Sequence, residues 1–184
     1  NVPEFTNNIY NGGDGNDTII GGQREDLIYG GNGNDVLYGG DDRDTIYGGA
    51  GNDTIYGGNG SDLLFGEAGE NEFHFEAVNN PTKDSHLFNN DTIISGQGKD
   101  TLVFDNTKYE DLSFYQDRND LIIKYGNSYD LKENNSVTIK DYFRYRGNVS
   151  VKTIKTVEGK DAHNNDIIKI GELSTYMTDK VLSV

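Results

Sequence analysis

Between Gly12 and Phe75 an apolar residue returns at every ninth position without a slip in register. The units read GGDGNDTII from Gly12, GGQREDLIY from Gly21, GGNGNDVLY from Gly30, GGDDRDTIY from Gly39, GGAGNDTIY from Gly48 and GGNGSDLLF from Gly57, with a worn seventh, GEAGENEFH, from Gly66. Their eighth position holds Ile19, Ile28, Leu37, Ile46, Ile55, Leu64 and Phe73. Their sixth holds Asp17, Asp26, Asp35, Asp44, Asp53, Asp62 and then Asn71. A short fixed period marks a repeat architecture in which each unit buries its apolar residue only by stacking on the next. Nine residues hold one tight loop and one very short strand, so two units make a coil turn of eighteen. Strands in such a coil pair in parallel about 4.8 Å apart. Side chains alternate across a strand, which turns position eight inward and positions seven and nine outward.

Position nine is aromatic in most units. Tyr29, Tyr47 and Phe65 fall on one face of the coil, Tyr38 and Tyr56 on the other. An outward ladder that shields strand edges accounts for them through cross-strand pairing. A sugar-stacking face is the alternative reading.

The period weakens at both ends. Asn8 and Tyr10 fall at positions six and eight of a unit with no intact loop, either the tail of an earlier array or a cap. A polar insert with Pro81 breaks the register over residues 76–85 and reads as a surface loop. The pattern then returns as HLFNNDTII and SGQGKDTLV, with Asp91 and Asp100 at position six and Ile93 and Leu102 at position eight. These predict closing turns with a terminal metal site.

From Asp111 the periodicity becomes that of longer strands. LSFYQ, DLIIKY and SVTIKDYF, separated by QDRND and GNSYDLKENN, predict antiparallel strands, and VSVKTIKTVEG and NDIIKIG add two more. In ELSTYMTDKVLSV, Leu173, Tyr176, Met177 and Val181 lie at helical spacing. The expected fold is therefore all-β, in two parts. A parallel coil occupies residues 1–104, and a mainly antiparallel capping region with a terminal helix occupies 105–184.

Charge sharpens this division. Of the chain's formal −15, residues 1–75 carry −12, from 14 acids against Arg24 and Arg43, and no lysine precedes Lys83. Acidity on that scale argues against nucleic acid or an anionic membrane as partner of the coil. There is no cysteine, so no disulfide substitutes for the thin core of one inward residue per unit. No apolar run approaches a membrane span, no signal pattern begins at Asn1, and the abrupt start reads as a piece of a longer chain.

The loop GGxGxD supplies the chemistry. Its glycines allow left-handed angles and close approach, which turns several carbonyl oxygens toward one point. The Asp adds a carboxylate. Two units per turn put Asp17, Asp35, Asp53 and Asn71 on one side and Asp26, Asp44 and Asp62 on the other. Carboxylates one strand spacing apart repel unless a cation lies between them. Hard oxygens with no His or Cys nearby point to calcium. Without an ion the ladder of anions stays uncompensated.

The nonapeptide GGxGxDxUx resembles that of the RTX (repeats-in-toxin) calcium-binding β-roll, and six nearly intact copies make the match specific. The segment DLSFYQDRNDLIIKYG…SVTIKDYF is similar to the region that follows the repeats in haemolysin-type toxins and large type I-secreted adhesins. The resemblance implies ligands at loop positions two, four and six of one unit and one, three and six of the unit two further on. One site would then join Gly13, Gly15 and Asp17 with Gly30, Asn32 and Asp35. A second would join Gly31, Gly33 and Asp35 with Gly48, Ala50 and Asp53, and a third Gly49, Gly51 and Asp53 with Gly66, Ala68 and Asn71. On the opposite side, Gly22, Arg24 and Asp26 would meet Gly39, Asp41 and Asp44. Gly40, Asp42 and Asp44 would meet Gly57, Asn59 and Asp62. That makes about five Ca2+ ions in the roll.

Arg24 and Asp42 depart from this pattern, since each stands where the loop has glycine. A non-glycine residue in a left-handed conformation costs about 1–2 kcal/mol, less for Asp. This predicts weaker binding in their row, with the site between Asp26 and Asp44 the emptiest or most distorted.

The resemblance also implies a secreted or cell-surface protein exported by a type I apparatus, a toxin or an adhesin. Within it, ELSTYMTDKVLSV is either the secretion signal or a capping helix. Catalytic signatures are missing: His74, His86 and His163 form no HExxH, and there is no GxSxG, phosphate-binding glycine loop or EF-hand loop. A non-enzymatic module is expected. Two further readings remain, a calcium-dependent adhesin that binds a host surface or glycan, and the tail of an RTX enzyme. Lys140, Arg144, Arg146, Lys152 and Lys155 with Tyr142, Phe143 and Tyr145 form a basic-aromatic cluster, either a solvated face or a ligand site.

Overall fold

A computed structural model describes residues 7–77, 89–94, 96–108, 111–126, 135–144, 151–156 and 168–169. The predicted terminal helix and the interior of the polar insert lie outside these residues, as do Arg146 and Tyr145. Among the described residues there is no α-helix.

The repeats form β1 (Ile9–Asp14), β2 (Thr18–Gly22), β3 (Leu27–Asn32), β4 (Val36–Asp41), β5 (Thr45–Ala50), β6 (Thr54–Asn59), β7 (Leu63–Gly69) and β8 (Glu72–Phe75). Odd strands pair in parallel with odd and even with even, so the chain steps between two sheets at every unit. The register is eighteen residues throughout: Ile28 lies opposite Ile46, and Leu37 opposite Ile55. This is a parallel β-roll. The incomplete unit before Gly12 is part of it, with Tyr10 opposite Ile28 and the Tyr10 hydroxyl donating to the Gly21 carbonyl at 3.0 Å.

Position eight fills the space between the sheets. Ile28, Leu37, Ile46, Ile55, Leu64 and Phe73 are all fully buried. Each contributes about 1.5–3 kcal/mol by leaving water. A roll this thin has no second layer of side chains to add to that.

The two units after the insert resume the stack as β9 (Asn90–Ile94), β10 (Gln97–Gly98) and β11 (Asp100–Phe104). Leu64 meets Ile93, and Phe73 meets Leu102. Bonded partners now lie 29 residues apart instead of 18, and the inward register continues across the difference.

The remaining strands are β12 (Ser113–Asp117), β13 (Asp120–Lys124), β14 (Ser136–Ile139), β15 (Val151–Thr156) and β16 (Ile168–Lys169). β12, β13 and β14 form the expected antiparallel meander. Its last strand, β14, pairs in parallel with β9, and β15 pairs in parallel with β11. The capping region thus extends both sheets of the roll and covers the edges that a bare coil would leave open. Its inward residues Leu121, Ile123, Val137, Ile139, Val151 and Ile154 continue the core. Phe75, Phe104 and Tyr125 close the core where roll and cap meet, with ring centroids 5.1–6.0 Å apart.

Candidate metal centre

The loops stack as closely as the strands. Gly31 follows Gly13 at +18, and a Cβ there would strike the Gly13 carbonyl oxygen. The same holds for Gly33 against Gly15, Gly40 against Gly22, and Gly60 against Asp42. These carbonyls therefore point from one turn into the next. Others point back: Asn32 O accepts the Gly15 N–H at 2.8 Å, and Ala50 O the Gly33 N–H at 2.8 Å.

Asp26, Asp35, Asp44, Asp53 and Asp62 each divide their carboxylate between two gaps. Asp35 Oδ1 accepts the Asp17 N–H at 2.8 Å in the preceding turn, and Asp53 Oδ1 accepts the Asp35 N–H at 2.9 Å. Asp44 and Asp62 do the same for Asp26 and Asp44, at 2.7 and 2.8 Å. Oδ2 faces the following turn. A Cβ on Gly12 would lie 2.7 Å from Asp17 Oδ2 and 2.5 Å from the Gly30 carbonyl oxygen, and one on Gly30 would lie 2.5 Å from both Asp35 Oδ2 and the Gly48 oxygen. Glycine at position one holds this cradle open.

The six oxygens assigned to the first site by Gly13, Gly15, Asp17, Gly30, Asn32 and Asp35 all line one gap between turns. So do the six from Gly31, Gly33, Asp35, Gly48, Ala50 and Asp53 in the next. In the third gap Asn71 supplies Oδ1, accepting the Asp53 N–H at 2.9 Å. The described contacts fix the direction of all the assigned oxygens except those of Gly49, Arg24, Asp41 and Asn59.

One observation tests whether a cation fits. Oδ2 of Asp17, Asp26, Asp35, Asp44, Asp53 and Asp62 is buried with no hydrogen-bond partner. An unpaired buried polar group costs about 1–3 kcal/mol, and a charged one more. Burial, reinforced by the neighbouring carboxylates Asp62 and Asp26, pushes Asp44 up to about 8. Burial and Asp35 push Asp53 up to about 6. Among the described residues no three His, Asp or Glu side chains gather as a ligand set. A bound ion would therefore draw most of its ligands from carbonyls, as a hard cation of high coordination number does. The all-oxygen gaps fit calcium, which would supply the positive charge that the facing carboxylates lack.

Arg24 and Asp42 take the left-handed conformation, each at φ 78°. At position six their row is regular: Asp26 N–H reaches Asp44 Oδ1 at 2.7 Å, and Asp26 Oδ2 and the Gly39 carbonyl both face Gly21. The strain of two residues at loop tips thus leaves the strands and position six undisturbed.

Two ladders escaped sequence reasoning. Asn16 and Asn34 Oδ1 accept the N–H of Asn34 and Asn52 at 2.8 Å, and Asn52 Oδ1 accepts that of Glu70 at 2.9 Å, tying successive turns at position five. Recurrence of Asn at that position was the available signal. The second contact missed is the amide donor of the position-six Asn residues. Asn8 Nδ2 donates to Asp26 Oδ1 at 3.2 Å, and Asn71 Nδ2 to Asp100 Oδ1 at 3.0 Å, so an amide closes those two gaps by itself.

The rings at position nine stack on one another. Tyr29–Tyr47, Tyr47–Phe65 and Tyr38–Tyr56 centroids are 4.4–5.0 Å apart at 9–12°, and His74 extends the second ladder on Tyr56 at 4.4 Å. Inner faces are consumed by the stack and edges are presented outward. In the basic cluster Lys140 pairs with Asp120 at 2.7 Å, Arg144 with Asp141 at 3.7 Å, and Lys155 with Glu72. The ring of Tyr142 meets that of Phe143 edge-on at 5.0 Å, and both pack on the core.

The family model of the RTX calcium-binding nonapeptide repeat (4 copies) matches residues 11–46, 38–73 and 89–106. The last span includes β9 and β11, so the units beyond the insert are repeats by sequence as well as by stacking. The chain carries RTX calcium-binding repeats folded as a β-roll. No curated protein matches it. Among the described residues no helix is long and apolar enough to cross a membrane.

Proposed function

We propose that this chain is a calcium-dependent folding module of a secreted RTX toxin or adhesin, unfolded at cytosolic calcium and folded on meeting the extracellular ion. The observation that carries this reading is the set of six buried Oδ2 atoms without a partner. At about 1 mM calcium, a site with a dissociation constant near 0.1 mM contributes about 1.4 kcal/mol. Several such sites equal the stability of an ordinary domain, about 5–15 kcal/mol. At cytosolic calcium the contribution vanishes. An unfolded chain suits passage through a type I channel, and folding outside would follow from the ion gradient alone. The module has no catalytic role in this reading, and the edge-on rings of the ladders favour shielding over sugar stacking.

The test is circular dichroism of the full chain. Chelator should give a largely disordered spectrum, millimolar calcium should restore strand signal, and magnesium should substitute poorly because it demands tighter octahedral geometry. A chain equally folded and equally heat-stable in chelator contradicts the proposal.

A further inference from the structure

The two rows of loops are not built alike. At position five the row of Asp17, Asp35 and Asp53 carries Asn16, Asn34 and Asn52, whereas the row of Asp26, Asp44 and Asp62 carries Glu25, Arg43 and Ser61. Each of the three amides spans one gap. Asn16 Oδ1 accepts the Asn34 N–H and Asn34 Oδ1 the Asn52 N–H, both at 2.8 Å, and Asn52 Oδ1 accepts the Glu70 N–H at 2.9 Å. Position five lies between the carbonyl of position four and the carboxylate of position six, so each tie holds two assigned ligands to the next turn. A backbone tie stands beside it in every gap, from the N–H groups of Gly15, Gly33 and Gly51 to the carbonyls of Asn32, Ala50 and Ala68. The protein makes all of these bonds by itself.

The other row is tied across its gaps at position six, by Asp44 and Asp62. Among the described residues, the side chains of Glu25, Arg43 and Ser61 add no hydrogen bond to it. Its position four is strained instead, with Arg24 and Asp42 at φ 78°. Position three does not separate the rows, since Asn32 Nδ2 donates to Asp14 Oδ1 at 2.8 Å and Asn59 Nδ2 to Asp41 Oδ1 at 2.7 Å. Charge points the same way as the ties. Over units one to seven the loops of each row carry six acids, and only in the second row do arginines, Arg24 and Arg43, offset two of them.

We infer that Asn16, Asn34 and Asn52 are positioning residues that pre-set the row of Asp17, Asp35 and Asp53 for calcium, so that this row fills at lower free calcium than the row of Asp26, Asp44 and Asp62. A gap whose walls are already drawn together loses less freedom when an ion enters, and its affinity rises accordingly. The three amides are exposed and lie outside the core, so their contribution is to the spacing of the loops. The third gap of their row has Asn71 in place of an aspartate and hence one carboxylate fewer. The contrast is therefore sharpest between the gaps Asp17/Asp35 and Asp35/Asp53 and the gaps Asp26/Asp44 and Asp44/Asp62. This order rests on the calcium-dependent folding proposed above and adds which gaps fill first.

The experiment is amide hydrogen exchange of the full chain at a series of fixed free calcium concentrations. The N–H groups of Asp17 and Asp35 report one row and those of Asp26 and Asp44 the other, because each donates across its own gap. In the parent, the first pair should reach half-maximal protection at about fivefold lower calcium than the second, the effect of roughly one hydrogen bond per gap. Asn34→Ala should raise the midpoint of the first pair by about that factor and move the second far less. If the asparagines only stabilise the roll as a whole, both pairs shift together and their ratio holds, which overturns the inference. Glu25→Asn combined with Arg43→Asn places the same ladder in the other row without changing net charge. It should lower the midpoint of Asp26 and Asp44 toward that of Asp17 and Asp35. An unmoved midpoint in that variant overturns the inference, and it decides the matter should Asn34→Ala fail to fold. Coincident midpoints in a calcium-responsive parent defeat the order alone, whereas a parent indifferent to calcium defeats the folding proposal and the order with it.

Discussion

Asp35 gives one carboxylate oxygen to the Asp17 N–H, 2.8 Å away in the preceding turn, and turns the other toward the gap it shares with Asp53. One side chain thus serves two gaps, and the carboxylates form a continuous row in which each is fixed by the last. Asp35→Ala should therefore disturb two gaps and Asp17→Ala one. In calcium titrations followed by circular dichroism, the Asp35 variant should show the larger rise in midpoint. Equal midpoints would contradict a shared ligand.

Asn71 shows what an amide does in the same position. Its Nδ2 donates to Asp100 where an aspartate would present a second anion. Asp53→Asn should accordingly increase the folded fraction in chelator and reduce the calcium taken up on saturation. Isothermal titration of the variant beside the parent measures both. An unchanged uptake with lower stability in chelator would contradict it.

The calcium-free chain should lose stability as pH rises. Burial raises Asp53 and Asp62 to about 6 and Asp44 to about 8, above their unfolded values. The native state therefore holds protons that the unfolded state has released, and that stability is complete below about pH 4 and is lost through the window from 6 to 8. Thermal melts of the metal-free protein should fall from pH 5.5 to pH 8. Saturating calcium should flatten the trend, because the ion replaces the protons.

Position-one and position-four residues should fail differently. Gly48 has ordinary backbone angles, but a Cβ there would collide with Asp53 Oδ2 and lie 3.0 Å from the Gly66 oxygen. Gly48→Ala should cost about 1–3 kcal/mol by overpacking and remove an ion from the count. Arg24 carries only backbone strain, at φ 78°. Arg24→Gly should leave the ion count unchanged and stabilise the chain by about 1 kcal/mol with or without calcium. A changed count in Arg24→Gly, measured by equilibrium dialysis, would contradict this division.

The roll was legible because its signal repeats. Nine-residue spacing alone places Ile28 over Ile46 and Asp17 over Asp35, and the structure adds only that the 76–85 insert leaves this register intact. The cap was legible as strands but not as pairings. Nothing in SVTIKDYF says that Val137 will lie opposite Asp91 in parallel, since that follows from the shape of the edge it covers. The candidate site divides the same way. Asp and Gly at fixed positions were readable, whereas the Asn ladders and the unpartnered Oδ2 atoms depend on which side-chain atoms face each gap. Arg24 was read for its strain correctly, but local strain at a loop tip did not propagate to Asp26.

The central claim is that folding and calcium uptake are one event. The most direct measurement is the unfolding free energy of the full chain, from denaturant melts at a series of fixed free calcium concentrations. Its slope against log calcium gives the number of ions taken up on folding. With six buried oxygens awaiting a partner, that slope should correspond to about five or six ions, and stability should approach zero in chelator. A slope near zero, with the chain stably folded in chelator, would contradict the account.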